Sequence, residues 1–268
     1  MWILSTWKER HLDPLYHVTL GKSRWYLDPL VAAQKRRLHQ ELVWRWAGES
    51  HPHAILKTDV FEEAFGEDRI LFDLFPDTAR VVGMDIAPEY AAAAKRRAPR
   101  PDFEFAAMDV RQLAFRAASF DLVLSTSTLD HFETAAELRA SLQELARVLR
   151  PGGTLVVTLD NPSNPLYYVM RWMSRCRWFP FPLGRTASRE QLNAWLQQAG
   201  LEVSANEWLI HNPRMLSTAL FMVLRRLPVR LADSSIRALL GLFALSGRLP
   251  TRRFTACFLA ALARKPGL

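Results

Sequence analysis

The chain predicts an α/β fold with a doubly wound, mostly parallel sheet, and two observations carry that prediction. Short unbroken apolar runs recur between residues 81 and 160, each closing on a carboxylate or a polar cluster, and helix-patterned segments lie between them. The runs are Val81-Val82-Gly83-Met84-Asp85, Phe103 to Asp109, Phe120 to Ser127, and Gly153 to Asp160, the last entered from Arg150-Pro151-Gly152. Runs without polar alternation suit strands buried on both faces of a parallel sheet. Between them, Pro88 to Arg97 is Ala-rich with a basic end, and Ala135 to Leu149 sets Leu138, Leu142, Leu145, Val148 and Leu149 along one face. Pro88 and Pro151-Gly152-Gly153 are the matching start and stop signals. Strand, helix, strand, helix at this spacing means βαβ units.

Ligands of such sheets bind beyond the carboxyl ends of the strands, near the switch in strand order, so the residues closing each run are the ones to read. Their order resembles the nucleotide-binding core of class I S-adenosylmethionine (SAM) dependent methyltransferases, of the methyltransferase type 11-like kind, over roughly residues 54 to 165 and again over about the last fifteen. The resemblance implies a Rossmann-like, seven-stranded, mostly parallel sheet with helices on both faces plus helical additions, SAM as cofactor, and methyl transfer as the activity. It also implies a first strand at Ala54 to Val60, a helix at Arg69 to Phe75, a sixth strand at Leu201 to Leu209 and a last one from Phe254 to Ala263.

Asp85 is an acceptor-only group where both hydroxyls of an adenosine ribose would lie, with Ile86 beside it. The plainer reading is a carboxylate that helps the next helix begin. In the resemblance Asp109 accepts from the adenine amino group, with Met108 and Val110 flanking the base and Ser125 also on the cofactor side. The alternative for Asp109 is a turn aspartate.

The family normally carries a glycine-rich loop after the first strand, and this chain has Phe61-Glu62-Glu63-Ala64-Phe65-Gly66-Glu67-Asp68 instead. Glycines there let backbone approach a ligand closely. Gly66 alone remains, which reads as a remodelled loop or as a lost cofactor site. The loop acids would repel a dinucleotide pyrophosphate. SAM carries an ammonium and a sulfonium and no phosphate, so Asp59 is a candidate for the ammonium. Lys57 either reaches the methionine carboxylate or pairs with a loop acid, and the ion pair ranks first.

On the substrate side, His131 is a candidate base, since histidine is the side chain suited to proton transfer near neutral pH, with Asp130 to orient it. Methyl transfer depends chiefly on proximity and orientation, so a structural role competes. Asn161 and Asn164 after the fifth strand, and His211 after the sixth, are dense in donors and acceptors, against a plain reading as turn formers. Tyr26 is a candidate substrate contact, or a packed aromatic. These loops are expected to converge on one mouth.

The organisation read from the sequence is an N-terminal helical cap (1–50, with a helix at Pro29 to Trp46), a SAM-binding core (51–210), a helical insertion or lid (211–253) and a last core strand (254–268). In the insertion, the apolar runs Leu216 to Leu224 and Ile236 to Leu245 are too short to span a bilayer. They suit a lid over an apolar substrate, a membrane-surface contact, or helices packed on the core. Cys176 and Cys257 show no metal-ligand or disulfide spacing, and no cleavable signal is apparent, so a cytoplasmic protein, with possible peripheral membrane contact, is expected. The net charge of +8 reads as arginine dispersed along the chain, and no nucleic-acid motif accompanies it. The partner expected is a small or amphipathic, lipid-like methyl acceptor. The alternative is a non-catalytic protein of this fold that binds a partner or a membrane surface.

Overall fold

Seven segments pair into one sheet: β1 (Ala54–Thr58), β2 (Arg80–Asp85), β3 (Glu104–Ala107), β4 (Phe120–Thr126), β5 (Leu149–Asp160), β6 (Glu202–Leu209) and β7 (Phe258–Arg264). The computed structural model describes residues 28–48, 51–66, 68–174 and 183–267. The strand order is β3-β2-β1-β4-β5-β7-β6, with β1 to β5 parallel and β7 antiparallel between β5 and β6. This is the mostly parallel, Rossmann-like sheet the sequence predicts, with one antiparallel strand, β7, near its edge.

The unbroken apolar runs are explained by which way neighbours point. Ile55, Val81, Leu122, Leu124 and Val156 face one layer, formed by α1 (Pro29–Ala47) and α3 (Ile70–Leu74). Leu56, Val82, Val123, Leu155 and Val157 face the other, formed by α5 (Ala135–Val148) and α7 (Arg189–Gln198). Successive strand residues therefore both meet apolar helices, and no polar alternation survives. α5 starts on a capping box in which Thr134 and Glu137 satisfy each other's backbone N–H groups. Between these lie α2 (Phe61–Phe65), α4 (Pro88–Arg97) and α6 (Pro165–Met173).

The last strand begins later than the sequence reading places it. Arg252–Thr255 is a short helix, α10, and β7 starts at Phe258. Phe258 pairs with Asp160 at the end of β5 and with Leu209 at the end of β6; Cys257 still bonds the backbone of Leu209 and Asn161, while the residues before it turn away into α10. Likewise β1 stops at Thr58, because Asp59 takes a left-handed φ of 62°.

The two flanks pack on each other as well as on the sheet. α8 (Arg214–Leu224) and α9 (Val229–Ser246) bury Phe221, Ile236 and Leu240 against Leu30 and Val31 of α1. Arg225 binds Asp28, the N-cap of α1, and Asp233 of α9, which lifts the guanidinium further above its ordinary range. Among the described residues, no helix is long and apolar enough to cross a membrane.

Candidate functional site

Strand order reverses between β1 and β4, and the chain ends there on hydroxyls and carboxylates. Thr58 Oγ1 lies 2.9 Å from Ser125 Oγ and 3.0 Å from Thr128 Oγ1, bridging the two strands just inside their ends. Ser125 is fully buried in this bridge, so its hydroxyl supports the crevice from below. Beyond it, Asp59 turns back, and its Oδ1 accepts the Phe61 N–H at 2.9 Å.

Asp85 closes β2 next to that turn. Its Oδ2 accepts the Val60 N–H at 3.1 Å and its Oδ1 accepts the Ala87 N–H at 3.0 Å, which fixes both oxygens. Burial, and then the neighbouring charge of Asp59, push the Asp85 carboxyl up to about 7. A carboxylate has about four lone-pair sites. Two are used by backbone here, leaving one on each oxygen. A pair of acids at the mouth of a parallel sheet favours a cation that also carries hydroxyls. Ile86, half exposed beside it, offers an apolar side chain.

Where a glycine loop was absent from the sequence, the chain forms α2. Lys57 Nζ lies 2.8 Å from Glu63 Oε2 and donates to the Asp59 carbonyl, and Glu63 Oε1 accepts the Leu71 N–H. Burial opposes the lysine's charge, but Glu63 and Asp59 outweigh it and hold Lys57 above its ordinary range. Lys57 is thereby committed to the loop acid, and the reach to a cofactor carboxylate is corrected. Gly66 is corrected also: it ends α2, donating to the Glu62 carbonyl, and a Cβ there would meet the Glu62 side chain. From the other side α1 grips this loop, with Lys35 on Glu62 at 3.1 Å and His39 Nδ1 on Asp68 Oδ2 at 2.6 Å.

Past β3, the Met108 N–H donates to the Asp85 carbonyl, so this loop adjoins the end of β2. Asp109 is gripped by Arg111, whose Nε lies 3.0 Å from both carboxylate oxygens, and Arg111 also reaches Glu137. An adenine amino group would have to share Asp109 with that arginine. Met108 is partly buried and packs on the core, while Val110 lies within the core, which removes Val110 from the crevice wall.

The loops on the substrate side do meet, through side chains that tie them together. Asp130 Oδ2, buried, accepts the Asp160 N–H at 2.8 Å, joining the turn after β4 to the end of β5. Gly184 donates to the Asp130 carbonyl, and a Cβ on it would meet the backbone of Asp130, His131 and Phe132. His131 is half-buried on this turn. Asn161 gives its amide to the carbonyls of Arg253 (2.6 Å) and Ala256 (3.0 Å), and Asn164 gives its amide to Ala256 (3.0 Å) while capping α6. His211 Nδ1 lies 2.8 Å from Thr255 Oγ1, and burial lowers its pKa. These three side chains tether α10 and the segment after it to the loops that follow β5 and β6. Tyr26 lies outside the described residues.

Comparison with known proteins agrees with this fold. A methyltransferase domain family model matches residues 62–157. The demethylmenaquinone methyltransferase of Beutenbergia cavernae is 37% identical over 120 residues, covering 45% of this chain and 48% of that protein. Phthiotriol/phenolphthiotriol dimycocerosates methyltransferase 1 of Mycobacterium ulcerans is 29% identical over 182 residues, covering 67% and 59%. The chain thus spans about half to three-fifths of the length of these curated relatives. The N-methyltransferase NodS of Bradyrhizobium japonicum, solved with S-adenosyl-L-homocysteine, shares the fold at a TM-score of 0.54 and 18% identity, covering 89% of each chain.

Over residues 62–157 this chain is similar to a methyltransferase domain.

SAM is the cofactor of such domains, and the residues present fit it: an oriented diacidic end with two open lone-pair sites and an apolar neighbour. The stretch matched by the methyltransferase domain model contains Asp85, Asp109 and His131 and leaves out Lys57 and Asp59. Sequence reading missed Thr58, Glu63, Arg111 and Gly184. Thr58 was legible as a hydroxyl at a strand end. Glu63 and Arg111 take their partners through three-dimensional contacts that spacing does not show.

Proposed function

We propose that the protein transfers the methyl group of SAM to a small or amphipathic, lipid-like acceptor at the carboxyl ends of β1, β2 and β4. The observation that carries this reading is Asp85, a buried carboxylate whose two oxygens are oriented by the Val60 and Ala87 N–H groups and stand beside Asp59. In this reading Asp85 takes the two ribose hydroxyls on its open lone pairs, Ile86 and Met108 pack on the base, and Asp59 holds the ammonium. When bound, SAM supplies an electrophilic methyl carbon on a sulfonium. The chain's own contribution is to orient cofactor and acceptor and to exclude water, the effects on which such a displacement depends. His131 would take up the acceptor's proton, with its turn held by Asp130 and Gly184. Relatives named for demethylmenaquinone and for phthiotriol/phenolphthiotriol dimycocerosates support the acceptor class.

A second reading, a partner-binding protein of this fold, is favoured by one observation: α2 stands in place of the glycine loop, plugged by the Lys57–Glu63 pair. Calorimetry with SAM and S-adenosylhomocysteine separates the two. Micromolar binding that Asp85→Ala removes without unfolding the protein is expected. No binding to folded wild type would give the second reading the lead.

A further inference from the structure

The positive charge of this chain is concentrated. Residues 211–256 hold eight arginines and a single acid, Asp233, a net +7 against +8 for all 268 residues. This replaces the reading of dispersed arginine. The same segment contributes eleven of the seventeen strongly exposed large apolar side chains among the described residues.

Helix geometry puts the two properties side by side. α8 turns Ser217 and Phe221 inward, and on its far side Leu216, Leu220 and Val223 are 64%, 40% and 56% exposed. No charged residue occurs between Leu216 and Leu224, so this outer face is not an ordinary solvated one. α9 buries Ala232, Ile236 and Leu240 and exposes Leu231, Ala238, Leu242 and Leu245, spaced seven, four and three apart along one stripe. Arg230 and Arg237 each precede a stripe residue by one position, which lines guanidinium groups along one border. Arg225 is engaged by Asp28 and Asp233, but Arg226, Arg230, Arg237 and Arg248 are exposed and make no ion pair among the described residues.

We propose that the outer face of α8 and α9 docks the protein on an anionic lipid bilayer. Apolar side chains would enter the acyl boundary while the bordering arginines meet headgroup phosphates, the chemistry of an interfacial helix. Charge sign selects this occupant. A second copy would bring +7 against +7, and residues 1–27 carry four basic side chains and two acids, so neither complements the face. Nucleic acid would match the charge and leave the leucines exposed. The face adjoins the site, since α10 follows α9 and is held by Asn161, Asn164 and His211 from the loops after β5 and β6. A lipid-like acceptor would then pass from bilayer to crevice, a consequence that rests on the function proposed above, whereas the docking does not.

The test is sedimentation of the full chain with phosphatidylcholine vesicles, with and without phosphatidylglycerol, for wild type, Leu242→Glu/Leu245→Glu and Arg230→Ser/Arg237→Ser. Calorimetry with SAM and thermal melting on the same samples report the site and the fold. Binding to the anionic vesicles alone, weakened by salt, is expected. The arginine pair should lower partitioning about 25-fold, at about fivefold per arginine near the surface, and the leucine pair should abolish it, with melting and SAM binding unchanged. Double variants that sediment like wild type would overturn the proposal. So would a wild type that ignores anionic vesicles, whether it forms a dimer that Leu242→Glu/Leu245→Glu dissolves or binds nucleic acid instead. Vesicle binding without SAM binding would sink the methyl-transfer reading and leave the docking face intact.

Discussion

Asp85 should make the ligand-free protein lose stability as pH rises toward neutrality. Its folded pKa is about 7 and its ordinary value 3.8, so between these limits the native state keeps a proton that the unfolded chain has released. The contribution is fully present below about 3.8 and is lost as pH rises through about 7, at about 1.4 kcal/mol per pH unit inside the window. From pH 5 to pH 7 the loss is about 2 kcal/mol, allowing for partial ionisation at the upper end. Asp85→Asn cannot titrate. Its amide turns an NH2 toward one of the two backbone donors, so it starts less stable at pH 5. Urea unfolding of both proteins at pH 5 and pH 7 should therefore show the gap between them narrowing by about 2 kcal/mol. In the proposed reading, in which ribose hydroxyls donate to the ionised Asp85, SAM binding reverses the sign, and affinity should be about tenfold weaker at pH 6 than at pH 8. A gap of equal size at both pH values would refute the assignment of a raised pKa to Asp85.

Three further outcomes test the supporting structure. Lys57→Met strands Glu63 in the interior and should cost roughly 3–5 kcal/mol in urea unfolding, with Glu63→Gln in the double variant restoring much of it; additive losses would argue against the pair. Gly184→Ala forces a methyl group onto the backbone of the turn carrying His131 and should lower stability by about 1–3 kcal/mol, read as a fall in melting temperature. Asn161→Ala takes one donor from the part-buried Arg253 carbonyl and one from the Ala256 carbonyl, which keeps Asn164, and should cost about 1 kcal/mol while SAM affinity stays put. A change in that affinity on calorimetry would return Asn161 to the cofactor site.

The parallel core was legible because burial on both faces writes itself into sequence as unbroken apolar runs, and βαβ handedness leaves few ways to arrange them. The position of Asp85 at the end of β2 was legible for a related reason: the carboxylate closes such a run. The contacts of Asn161, Asn164 and His211 were not legible, because a polar side chain in a loop looks the same whether it faces a ligand or a carbonyl. Their partners, Arg253, Thr255 and Ala256, lie about 45 to 95 residues away in the chain.

By itself the sequence determined the order of strands and helices, the acidic character of the β1 turn and the mismatch of that turn with a phosphate-bearing cofactor, since these depend on local periodicity and side-chain charge. Only the tertiary structure decided which charges are spent on each other. Lys57 with Glu63, Arg111 with Asp109 and Arg225 with Asp28 and Asp233 are pairings that sequence order does not settle, and they leave Asp85 and Asp59 as the acids of the crevice. It also decided that α8 and α9 turn one apolar face to α1 and the other outward, because a helix that is apolar on both sides can bury only the side for which the fold supplies a neighbour.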